Sequence, residues 1–284
     1  MTYIPHNLGC GGAFCVLCCS SEEACNDKEY ISAGFKVNRT LEQTEEICSK
    51  NLHLEKNRKK GDYNVRLGVT QEPITTEDHT NLHPLHNVLR CFGWIYKICY
   101  HATAGHYSWS EAKLDVSHRA GRALQFLQLA KDQIQKTVKE ETGINLEKPD
   151  PTGHGGTTTT GNVAKSLLNT THRHLLTQNI DSLELRTVID KIILNMAVIL
   201  SIINSSRKVN ITLFREFCLE TSLLVKSVPW IRFTPSSHMV LAHSAELIDK
   251  NDQCDRNWFR SQQQIPSSVS HQFLTKDKPA QKLD

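Results

Sequence analysis

The sequence has no apolar run long enough to cross a bilayer. Its most apolar stretch, Ile192 to Ile203, falls short of the roughly 20 residues a spanning helix needs, and Asn195 and Ser201 interrupt it. A core helix is expected there and no membrane partner. The opening residues, Met1-Thr2-Tyr3-Ile4-Pro5-His6, lack a charged segment followed by a clean apolar stretch, so no secretory signal is read. The chain also has little net charge. Its 33 Lys and Arg residues face 30 Asp and Glu residues, a balance of +3 over 284 residues. No global field draws it to nucleic acid, and any DNA contact has to come from a local basic cluster. No internal repeat is present.

Several catalytic patterns are missing as well. There is no G-x-S-x-G, and no cysteine is linked to a histidine by a recognisable nucleophile pattern. Gly156 and Gly161 have the spacing of a phosphate loop, but Asn162 and Val163 stand where Lys and Ser or Thr are needed. No apolar strand precedes that loop, so no nucleotide site and no small-molecule substrate are expected. Adjacent carboxylates such as Glu22/Glu23 and Glu140/Glu141 read as solvated faces.

Cysteine, by contrast, is plentiful, with ten in the chain. Cys10, Cys15, Cys18, Cys19 and Cys25 crowd near the start, while Cys91, Cys99 and Cys218 lie inside apolar helical patterns. That distribution fits metal binding plus core thiols in a reducing compartment better than a disulfide framework. The sequons at Asn38, Asn169, Asn204 and Asn210 then carry no information.

Along the chain four regions are expected. Residues 1–54 are Cys-rich, with a short helix from Thr40 to about Leu54. Residues 55–81 form a connector whose basic cluster is Arg58-Lys59-Lys60. Residues 82–249 form a helical body, and 250–284 a flexible tail. Within the body, Leu85, Val88, Leu89, Phe92, Ile95, Tyr96 and Cys99 recur at helical spacing and mark a buried face. Ser108-x-x-Glu111 reads as a capping box opening a long helix that Gly143 stops. Further helices are expected from about Asn162 to Thr177, from Ser182 to Asn204, and from about Asn210 to Ser227. The last runs from Ser236 to about Ile248, with Thr234 as N-cap and Pro235 at its first position.

Cys15-Val16-Leu17-Cys18 is a C-x-x-C that can present two thiolates to one zinc ion. A structural site takes four ligands, and no second C-x-x-C exists. The other pair has to come from afar: His79/His83, His83/His86, His101/His106, His172/His174 and His238/His243 all qualify by spacing. Cys10, Cys19 and Cys25 are near enough to substitute in the first pair. His238-Met239-Val240-Leu241-Ala242-His243 lies on the capped helix. On a straight α-helix five residues at about 100° each leave the two rings about 140° apart, so the helix has to loosen or one ring has to reach around.

Six segments in order resemble one family. They are Phe14-Cys15-Val16-Leu17-Cys18, Asn38-Arg39-Thr40-Leu41-Glu42, Lys60-Gly61-Asp62-Tyr63-Asn64-Val65-Arg66, Leu82-His83-Pro84-Leu85-His86, Gly161-Asn162-Val163-Ala164-Lys165 and His238-Met239-Val240-Leu241-Ala242-His243. The set is similar to Transib-type transposases and to their relative, the catalytic subunit of the V(D)J recombinase. The resemblance implies a mainly α, irregular helical zinc-binding domain, the insert of an RNase H-like DDE recombinase, with the nuclease core absent. It implies one zinc ion on Cys15, Cys18, His238 and His243. It also implies a nuclear setting, DNA as a ligand, and a recombinase chain or second copy as partner; the local basic cluster Arg58, Lys59 and Lys60 is the candidate for DNA contact, with a solvated loop as its alternative reading. The family cuts DNA with two Asp before the C-x-x-C and one Glu after the second His. Here no Asp or Glu precedes Cys15 and no Glu follows Glu246, so a chain that does not cleave DNA alone is expected. Two alternatives stand beside this: an active nuclease using carboxylates such as Asp115, Asp150 and Asp190, or a helical scaffold without metal.

Overall fold

The computed structural model describes residues 22–35, 46, 84–105, 107, 121–146, 159–205 and 207–253. Every element among them is helical. Of the short helix expected from Thr40 to about Leu54 only Glu46 is described, and it is helical; the Ser108 capping box and the connector at 55–81 lie outside the described residues.

Helix α3 (Pro84–Thr103) follows two short helices, α1 (Glu22–Cys25) and α2 (Lys28–Ser32), and is the axis of the body. Proline at its first position costs no hydrogen bond, because that amide has no intrahelical partner anyway. Val88, Cys91, Phe92, Trp94, Ile95, Ile98, Cys99 and Ala102 are all buried, which is more than one stripe. A helix buried on most of its circumference needs neighbours on most sides. It has them in α4 (Gly121–Thr142), α5 (Gly161–Leu168), α6 (Leu183–Ile203) and α8 (Pro235–His238). Leu85 departs from the expected buried face and is 47 % exposed. It sits in the first turn, at the rim of the core beside Gly161.

The α4 stripe is Leu127, Ala130, Ile134 and Val138, and Gly143 stops the helix as read, with φ +70° and its amide bonded to the Lys139 carbonyl. That left-handed stop is cheap only for glycine. The helix expected over 162–177 is instead two elements: α5 ends at Leu168, and a 3-10 turn occupies Arg173–Leu176. The cause is Asn169, whose side-chain oxygen accepts the amides of Thr171 and His172 at 2.9 Å each. That local bond competes with the helical one.

Helices α6 and α7 (Ile211–Lys226) match the expected spans. Ser182 and Asn210 cap their starts by accepting the amides of Leu185 and Leu213. Asn195, one of the polar residues in the apolar run, donates across to Thr221 on α7 at 3.2 Å. No helix among the described residues is long and apolar enough to cross a membrane. The last stretch is α8, then a π-helical turn over Met239–His243, then α9 (Ser244–Gln253). The π turn and α9 pack on α7, and so does α2 from the start of the chain.

Candidate metal centre

The route to His238 begins with Thr234. Its hydroxyl accepts the Ser237 amide, and the Ser237 hydroxyl bonds back to the Thr234 amide at 2.8 Å. This reciprocal cap and Pro235 fix where the helix starts, and hence where His238 falls. His238 then lies wholly buried at the end of α8, and His243 is buried at the end of the π turn.

The π turn removes the angular problem posed by five-residue spacing. Its i→i+5 bonding widens the helix so that residue i+5 returns nearly over residue i. The two imidazoles meet with ring centroids 5.2 Å apart and planes at 78°. A tetrahedral zinc holds each ring nitrogen at about 2.0–2.1 Å and the ring centre about 1.1 Å further, which sets two bound imidazoles about 5.2 Å apart. Edge-to-face ring packing gives the same separation, so the ring spacing serves either arrangement. The Nε2 of His243 is out of solvent and has no hydrogen-bond partner. An unmatched buried polar atom costs about 1–3 kcal/mol, and a metal would remove that cost. The histidine pair therefore fits half of a structural zinc site.

The surroundings hold His238 on two further sides. Cys25, fully buried at the end of α1, places its Sγ 3.6 Å from His238 Nε2. Phe35 packs its ring edge-to-face on the imidazole at 5.3 Å. Phe35 has φ +50°, the one positive φ at a described non-glycine residue. This conformation is uncommon for an aromatic residue. Asn26 accepts the Phe233 amide at 2.8 Å and so pins α1 to the segment that leads into α8. Cys25 is one of the three thiols that spacing left open beside Cys15 and Cys18, but spacing did not single it out, and the contacts of Phe35 and Asn26 had no local signal.

Cys15 and Cys18 lie outside the described residues, as do Arg58, Lys59 and Lys60 and the histidines at 79, 83 and 106. Among the described residues no group of three or more His, Cys, Asp or Glu side chains is arranged to hold a metal. The other histidine candidates have other surroundings. His86 is exposed, His172 pairs with the Ser166 hydroxyl through Nδ1, and His101 stacks with Tyr100 and Trp230. Asp190 accepts the Thr177 hydroxyl; Asp115 and Asp150 lie outside the described residues.

Cys91, Cys99 and Cys218 are core thiols, as their positions in apolar patterns implied. Burial pushes Cys91 and Cys218 up to about 12, Cys218 against a small lowering from its Ser244 contact. Cys99 is pushed higher, by burial first and then by the nearby Asp190 charge. Thiols held protonated in this way are poor metal ligands and poor nucleophiles. In comparisons with known proteins, no family model and no curated protein matches the chain.

Proposed function

We propose that this chain is a zinc-stabilised helical module of recombinase type, which binds DNA or a recombinase chain and does not cut DNA by itself. The observation that carries the reading is the buried pair His238 and His243, brought ring to ring by a π turn with the His243 Nε2 unmatched. Cys15 and Cys18 are the residues that would complete the ligand set, in the two-thiolate, two-imidazole form common to structural sites. Bound there, zinc would supply no reaction. It would close a loop of more than two hundred residues, and its binding energy would count as folding energy. The resemblance to Transib-type transposases and the V(D)J recombinase supports a nuclear role, with Arg58, Lys59 and Lys60 as the DNA-facing cluster.

The chain purified without added metal is expected to carry one zinc ion. The double variant Cys18→Ser/His243→Ala is expected to carry none and to melt at lower temperature. Full metal content in that variant would overturn the site. A nicking assay on DNA with divalent metal is expected to show no cut, because the resemblance covers only the helical region. Replacing Arg58, Lys59 and Lys60 together by Ala should weaken DNA binding and flatten its salt dependence.

A further inference from the structure

We propose that Cys25 is a positioning residue for this metal centre: its sulfur holds the Nε2 of His238 and thereby turns the ring's Nδ1 toward the metal. The inference rests on the zinc reading above.

An imidazole binds a metal through one nitrogen, and the hydrogen bond made by the other decides which one it is. At His238 that bond has an identified partner, with Cys25 Sγ 3.6 Å from Nε2 and both groups fully buried. With the proton on Nε2 and the bond donated to sulfur, the lone pair sits on Nδ1. His243 meets the metal through its other nitrogen type, because its unmatched buried atom is Nε2. The sulfur is not free to wander. Cys25 ends α1, and the next residue, Asn26, donates its side-chain amide to the Glu22 carbonyl and accepts the Phe233 amide, both at 2.8 Å. The short N-terminal helix is thus tied to the start of the histidine-bearing segment one residue from the thiol. Phe35 blocks rotation of the ring from another side. Two such restraints, one polar and one steric, are what a ring needs to keep one nitrogen on a metal.

The competing role is that of a ligand. Sulfur and nitrogen bound to one tetrahedral zinc stand about 3.5 Å apart, close to the distance seen. However, Cys25, His238 and His243 do not form a three-donor group, so the positioning role is the one assigned.

The full-length chain, loaded with zinc and separately with cobalt(II), distinguishes these roles in Cys25→Ala and Cys25→Ser. The expected result for Cys25→Ala is one metal per chain, an unchanged thiolate-to-cobalt charge-transfer intensity and a shifted ligand-field band. Chelator competition should show 10–100-fold weaker zinc binding. Cys25→Ser, which keeps a hydrogen-bonding atom, should recover most of that affinity even if the alanine variant folds poorly. Loss of one thiolate's share of the charge-transfer band would make Cys25 a ligand and overturn the proposal. So would unchanged affinity and bands in both variants. A wild-type chain that takes up neither metal would fail at the earlier step and remove the zinc site itself.

Discussion

At the scale of single residues, the buried thiols make the fold sensitive to alkali. Cys91, Cys99 and Cys218 have folded pKa values above the ordinary 9.0. They stay protonated in the folded chain at pH values where the unfolded chain has released its protons. Their contribution is therefore complete below pH 9 and is lost as pH climbs toward 12, at about 1.4 kcal/mol per pH unit for each thiol. Lys226 acts in the opposite sense, since burial and then Arg232 lower its pKa below 10.5, but it is half-exposed and outnumbered. The urea midpoint in reducing buffer should hold from pH 8 to 9 and fall steeply by pH 11. A midpoint that rises over that interval would contradict the burial of these side chains. The sequence marked these three as core thiols because a helical period runs through them. It set His238 and His243 apart from four other histidine pairs of suitable spacing only through the resemblance, although both lie on one capped helix. It left Cys25 as one of several thiols able to meet a distant histidine pair and could not choose it, because no local pattern encodes a contact across 213 residues.

At the scale of elements, the π turn carries its own prediction. Deleting Ala242, which is half-buried, converts the five-residue spacing to four. A regular α-helix then places the two histidines on one face, about 40° apart. That deletion should keep zinc binding, whereas inserting an alanine after Ala242 should abolish it. The reverse outcome would show that the rings do not act together. Thr234→Ala should lower stability by about 1 kcal/mol through loss of the cap, and Thr234→Ser should be nearly silent; urea unfolding of each variant measures both. Caps are short-range, which is why the ends of α6 and α7 could be read from Ser182 and Asn210. The break after Leu168 was not read, because Asn169 is tolerated inside a helix unless its side chain captures nearby amides, as it does here with those of Thr171 and His172. The loosening of the helix at His243 was posed as a geometric necessity of the spacing, but its form as one π turn came only with the backbone.

At the scale of the whole molecule, the fold is a helical body around α3 whose last segment is held to its first described helices. Chelation should lower the melting temperature and raise amide exchange in residues 22–35 before it does so in α3 or α6, followed by exchange mass spectrometry. Uniform loss of protection across all helices would mean that the centre supports the entire core rather than one seam.

The clamp between Asn26 and Phe233 joins positions separated by 207 residues, and this imposes an order on the chain's birth. A ribosome adding about 5–20 residues per second leaves the first clamp half waiting about 10–40 s for its mate. Throughout that interval Cys25 lacks the His238 imidazole, and Ile31 waits for α7, the helix on which α2 packs. Slower translation lengthens that wait in proportion.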